Sequence, residues 1–208
     1  MLVHCSASCL KVMKKEKELK TQLSKIGSVY DLVASDINGK SVDFREAFAG
    51  KVVIVVNVAS ECGYTNSHYA GFVDLHKDIS KADGIDPTLF EIVAFPCNQF
   101  GGQEPGTPEE ILRFATDVKG ANFLKMMGKV DVNGPEMSLV YAYLKDKAGV
   151  EAITWNFATY FVIDTEGNVN SYTGVEPKDL KSTILHLLKK ATAAKNKVGG
   201  STGKSEEL

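Results

Sequence analysis

The stretch Val52-Val53-Ile54-Val55-Val56-Asn57-Val58-Ala59-Ser60-Glu61-Cys62-Gly63-Tyr64-Thr65 decides how this chain folds. Its first half is almost entirely β-branched, the composition of a strand buried on both faces, and it is far shorter than the roughly 20 apolar residues of a membrane span. Only Asn57 interrupts it. Residues 64–81 then carry apolar side chains at helical spacing, and residues 89–95 read as a second buried strand. Strand, helix and strand in this order predict two parallel neighbours joined by a crossover helix.

Toward the N-terminus, residues 29–36 and 40–44 flank Asn38-Gly39, the dipeptide best suited to a tight hairpin turn. Residues 11–25 are charged helix formers with a thin apolar stripe of Leu10, Met13, Leu19 and Leu23, expected to lie outside the core. Toward the C-terminus, Thr107 and Glu110 form a capping box with Pro108 at the first helical position, and that helix is expected to end near Val118. Residues 138–147 predict another helix, stopped by Gly149. Residues 160–164 and 168–172 flank Glu166-Gly167 as an antiparallel hairpin, and a last helix is expected from Pro177 to about Ala191.

This order of elements predicts an α/β, thioredoxin-like fold: a central mixed sheet flanked by helices, with an N-terminal β-hairpin. The expected organisation is a helical extension over 1–26, one domain over 27–192 and a disordered tail over 193–208, where Lys, Gly, Ser and Thr cannot build a core. With 44% hydrophobic residues the chain can fill one core, and a formal net charge of −2 gives no field that would attract nucleic acid. Cysteines stand at 5, 9, 62 and 97, too few and too unevenly placed for a disulfide scaffold, so a reducing, cytoplasmic location is expected. Ser205-Glu206-Glu207-Leu208 departs from an endoplasmic-reticulum retrieval signal at its first residue and reads as a frayed acidic end. The histidines at 4, 68, 76 and 186 lack metal-ligand spacing, so each is read as a surface or core residue and no metal is expected.

Cys62 falls between the strand and the helix. Unpaired amides and the positive end of a helix dipole favour a thiolate over a thiol there, which points to a nucleophile rather than a small core hydrophobe. Three residues on stands Thr65, not a second cysteine, so the internal exchange of a C-x-x-C dithiol is excluded. A lone thiolate can cleave the O–O bond of a peroxide, forming a sulfenic acid that another thiol reduces.

Three motifs resemble those of the glutathione peroxidase family: the segment around Cys62, Phe95-Pro96-Cys97-Asn98-Gln99-Phe100-Gly101-Gly102-Gln103-Glu104-Pro105-Gly106, and Trp155-Asn156-Phe157. The likeness runs over about residues 27–189. It implies a catalytic tetrad of Cys62, Gln99, Trp155 and Asn156, with Cys97 structural, no bound cofactor, and glutathione or another thiol as co-substrate. Amide and indole N–H groups suit the tetrad, because they can donate to a sulfur anion or a departing hydroxide without ionising.

Family members that use thioredoxin carry a resolving cysteine after the second motif, yet residues 109–123 hold none, so glutathione is the simpler reductant. Tetrameric members insert a long segment before Trp-Asn-Phe. The short spacing here implies a monomer with an open site, acting on hydrogen peroxide and on organic and phospholipid hydroperoxides. No integral membrane span is expected, and any contact with a membrane surface is transient. Two other readings stay open: a peroxide sensor passing oxidation to a partner protein, and a thioredoxin-dependent peroxidase resolved by Cys5 or Cys9.

Overall fold

A computed structural model describes residues 7–201, with side chains from 8 to 197. Cys5 and the acidic end at 205–208 therefore lie outside the described residues. The charged extension forms helix α1 (Ala7–Leu23), and the expected hairpin is present as two short strands, β1 (Val33–Ser35) and β2 (Ser41–Asp43). Its turn is held by Asp36, whose carboxylate accepts from the amides of Asn38 and Lys40, both at 2.9 Å. A short helix α2 (Phe44–Phe48), capped by Asp43, follows directly.

Strand β3 (Val52–Val58) leads into α3 (Thr65–Ser80) and then β4 (Phe90–Pro96), which runs parallel to β3 from Val52↔Phe90 to Val58↔Pro96. Thr107 and Glu110 cap α4 (Pro108–Arg113), and the chain passes into a π-helical turn at Phe114–Val118 before the two-residue strand β5 (Lys125–Met126). Helix α5 (Leu139–Ala148) begins at the Ser138 hydroxyl and ends at Gly149 with φ +65°, the left-handed cap that glycine adopts without strain. Strands β6 (Thr159–Ile163) and β7 (Val169–Thr173) form the antiparallel hairpin, and a 3-10 turn at Pro177–Leu180 leads into α6 (Lys181–Ser201).

The five-stranded sheet has the order β5-β4-β3-β6-β7 and is mixed, with β6 antiparallel to β3. Because alternate residues of a strand face opposite ways, β3 feeds two cores. Val52, Ile54, Val56 and Val58 pack with Tyr69, Phe72 and Ile79 of α3 and Ile184 and Leu188 of α6. Val53 and Val55 pack with Phe44 and Phe48 of α2 and Tyr141 and Leu144 of α5. This is the expected thioredoxin-like sheet.

One boundary differs. The last helix continues past Ala191 to Ser201, although its sequence there is polar. Asp86 accounts for part of this: its amide donates to the Thr192 hydroxyl at 3.0 Å, and its carboxylate pairs with Lys195 at 2.5 Å. The helix is thus pinned from the body for another turn beyond its apolar stripe.

Candidate active site

Cys62 lies in the turn between β3 and α3, two residues before the N-cap position of that helix. The turn is closed by Thr65. The Cys62 amide donates to Thr65 Oγ1 at 3.1 Å, the Thr65 hydroxyl donates to the Ala59 carbonyl at 2.6 Å, and the Thr65 amide returns to the Cys62 carbonyl at 3.0 Å. Cys62 is buried to 7% exposure and is a free thiol, as is Cys97.

Trp155 and Asn156 reach this region on the segment that leads into β6. The segment is fastened to β3 by Asn57, whose side-chain amide donates to the Trp155 carbonyl at 3.3 Å and to Asn156 Oδ1 at 3.1 Å. The Asn57 carbonyl also accepts the Phe157 amide at 2.9 Å. Phe157 adopts φ +63°, a left-handed conformation costing a bulky residue roughly 1–2 kcal/mol. Its ring offsets that cost by burial among His68, Tyr69 and Phe72. The kink leaves Asn156 fully buried while Trp155 stays 39% exposed, tilted against Phe100 at 5.7 Å.

The second motif divides its two glutamines between different tasks. Gln99 Oε1 accepts from the amides of Val132 (2.8 Å) and Asn133 (3.0 Å), and its Nε2 donates to the Asn133 carbonyl at 2.9 Å. These bonds brace the 132–133 loop, and among the described residues no hydrogen bond joins Gln99 to Asn156. Gly101 and Gly102, with φ +65° and +64°, turn the chain back. Beyond that reversal, Gln103 Oε1 lies 3.5 Å from Asn156 Nδ2, and the Gln103 carbonyl accepts from the amide of Glu61, next to Cys62. Gln103 Nε2 has no hydrogen-bond partner among the described residues.

Spacing alone could not choose between two glutamines four apart, but the paired glycines between them were a legible sign of reversal. The Asn57 link had a signal too, as the one polar residue in an apolar strand.

Cys97 sits on the opposite face of the sheet among Phe95, Met127 and Tyr141, where burial pushes its thiol up. Beside Gln103, the Glu104 carboxyl is fully buried and is also raised, by desolvation, with Ser60 and Lys129 opposing the shift. His68, read as a surface or core residue, is buried and shares a hydrogen bond through Nδ1 with the Tyr160 hydroxyl. Burial lowers the imidazole and raises the phenol, keeping both neutral. Among the described residues no cluster of His, Cys, Asp or Glu could hold a metal ion.

A lone thiol in the strand-to-helix turn of such a sheet, with no second cysteine three residues on, has the arrangement of a single-cysteine oxidoreductase. The sequence pattern of the glutathione peroxidases matches residues 29–145. A probable phospholipid hydroperoxide glutathione peroxidase of Solanum lycopersicum is 45% identical over 81% of this chain and 97% of its own length. A probable mitochondrial enzyme of the same description from Arabidopsis thaliana is 46% identical over 68% of this chain, which spans 59% of that protein. Among solved structures, that of Trgpx in apo form superposes with a TM-score of 0.61 at 31% identity, covering 78% of this chain and 95% of the other. A thiol:disulfide interchange protein of the thioredoxin family from Chlorobium tepidum, at 20% identity and TM-score 0.51 over 76% of this chain and 92% of its own, shares the fold. The chain belongs to the glutathione peroxidase family and is an oxidoreductase of the peroxidase class.

Proposed function

We propose that Cys62 reduces hydroperoxides, those of phospholipids included, and is recycled by glutathione. The observation that carries this reading is the link from Asn156 through Gln103 to Glu61 in the turn that holds Cys62, where no second cysteine stands. In the first step the sulfur takes the distal oxygen of ROOH, giving Cys62–SOH, and the proton lost from the thiol leaves with RO⁻ as ROH. One glutathione then condenses with the sulfenic acid, releasing water and leaving a mixed disulfide. A second attacks that disulfide, freeing Cys62–SH and oxidised glutathione. Gln103 Nε2 and the Trp155 indole N–H are the donors suited to the negative charge that develops on oxygen.

The breadth of substrate rests on the open side of the site. An open cavity of about 450 Å³ adjoins Trp155, with Tyr64, Phe157, Ala158 and Val175 offering apolar surface to an acyl chain and His68 and Glu176 at its polar side. The relatives' names point to the same substrate class. Glutathione follows from the lack of a cysteine in residues 109–123.

Steady-state turnover of hydrogen peroxide and of a phosphatidylcholine hydroperoxide is the test, with glutathione or thioredoxin as reductant and with wild type and Cys62→Ser. Sustained turnover with glutathione, abolished by Cys62→Ser, is expected. Rapid oxidation without recycling by glutathione would overturn the reading in favour of a sensor, and turnover with thioredoxin alone would overturn the assigned reductant. The relatives include a mitochondrial protein, so an organellar location is as consistent with this function as the cytoplasmic one.

A further inference from the structure

We infer that α1 is a docking element for anionic phospholipid bilayers, holding the active site against the surface that carries its substrate. This rests on the reading above that phospholipid hydroperoxides are substrates. The helix carries five lysines and two glutamates, a net of three positive charges on a chain whose formal net charge is −2. Its inner face is accounted for. Lys15, Leu19 and Leu23 are half-buried where α1 lies along α5, and Leu23 joins the core on that side of the sheet.

At roughly 100° per residue, Leu10, Met13, Lys14, Lys17 and Lys20 fall on the opposite side. Leu10 and Met13 are each 58% exposed, and the three lysines are exposed around them. An apolar strip bordered by lysines on an outward helix face has the chemistry of an interfacial helix, in which apolar groups enter the acyl boundary and lysines meet acidic headgroups. A nucleic acid would use the charge but not the strip.

The position of α1 relative to the site supports this occupant. Lys15 forms an ion pair with Glu136. Three residues from Glu136, Asn133 binds the Ile153 backbone through both side-chain atoms, its Nδ2 donating at 2.8 Å and its Oδ1 accepting at 3.0 Å. Ile153 is two residues from Trp155, and Asn133 is also the loop residue that Gln99 braces. Through Lys15 on its inner face, α1 is therefore tied to the loop whose Asn133 holds the segment leading to Trp155.

The test is sedimentation of the full chain with phosphatidylcholine vesicles and with vesicles containing phosphatidylglycerol, without peroxide, so that binding is read independently of catalysis. Binding to the anionic vesicles only, weakened by salt, is expected. Each lysine near such a surface contributes roughly fivefold to partition, so Lys14→Glu/Lys17→Glu/Lys20→Glu should lower binding on the order of 100-fold or more. Leu10→Ser/Met13→Ser should also weaken it. Both variants should keep wild-type turnover of hydrogen peroxide while losing rate on hydroperoxide presented in anionic vesicles.

Vesicle binding that is absent, indifferent to lipid charge or unchanged in both variants would overturn the inference, as would capture of an RNA oligonucleotide with none of the vesicles. Anionic vesicle binding by a wild type inactive on phospholipid hydroperoxide would instead sink the substrate reading and leave the docking element standing.

Discussion

Replacing Asn57 by leucine should loosen the active site from within the central strand. The side-chain amide of Asn57 makes two donations, at 3.3 Å to the Trp155 carbonyl and at 3.1 Å to Asn156 Oδ1. The Trp155 carbonyl keeps a second donor in the Ala158 amide, whereas Asn156 Oδ1 is left buried without one. Two lost hydrogen bonds at about 1 kcal/mol each, with about 1–3 kcal/mol more for the orphaned oxygen, set the scale. Against this, Asn57 Oδ1 is itself buried without a partner, and its removal returns about 1 kcal/mol. The net loss is about 2–4 kcal/mol. Urea unfolding would measure it, and stopped-flow oxidation of Cys62 should slow on the order of 10- to 100-fold as Asn156 and Trp155 lose their fixed position. An Asn57→Leu protein with wild-type stability and wild-type oxidation rate would refute the reasoning. Asn57→Asp should be worse than leucine, since it sets a second acceptor against Asn156 Oδ1.

Exchanging the two motif glutamines for alanine should separate their tasks: Gln103→Ala slows peroxide reduction on the order of 100-fold with little change in stability, while Gln99→Ala costs about 1–3 kcal/mol through the unbraced 132–133 loop. Turnover and urea unfolding on the same two samples read both effects. Glu104→Gln should make stability less dependent on pH. The folded state raises the Glu104 carboxyl, so its favourable contribution is complete below the ordinary glutamate range and is lost as pH rises through the raised value. The variant should therefore gain on wild type at about pH 7.5 and lose that gain near pH 4, measured by urea unfolding at both. Gly167→Ala should destabilise by about 1–3 kcal/mol in thermal unfolding, because φ is +88° there and a Cβ would stand 3.0 Å from the Tyr30 ring.

Much of the frame was legible because the decisive elements are long and periodic. The β-branched run ending before Cys62 became β3, Thr107 and Glu110 became a capping box, and Gly149 became a helix stop. What escaped was short or depended on contacts distant in sequence. Helix α2 and strand β5 are five and two residues long, below the length at which periodicity speaks. The polar tail of α6 looked unable to fold because its anchor, Asp86, lies more than a hundred residues earlier. Around the site, the contact between Gln103 and Asn156 depends on the Gly101-Gly102 reversal and joins residues 53 apart, beyond what spacing can show.

The registers of β3 carry a consequence for biosynthesis. Val55 pairs with Val93 on one side and with Phe161 on the other, so the strand before Cys62 gains its second neighbour only after more than a hundred further residues have been made. Asn57, Trp155 and Asn156 meet in that same late event. On the ribosome, the nascent chain carries Cys62 long before the segment of Trp155 and Asn156, and the sheet around its turn is completed only when that segment docks.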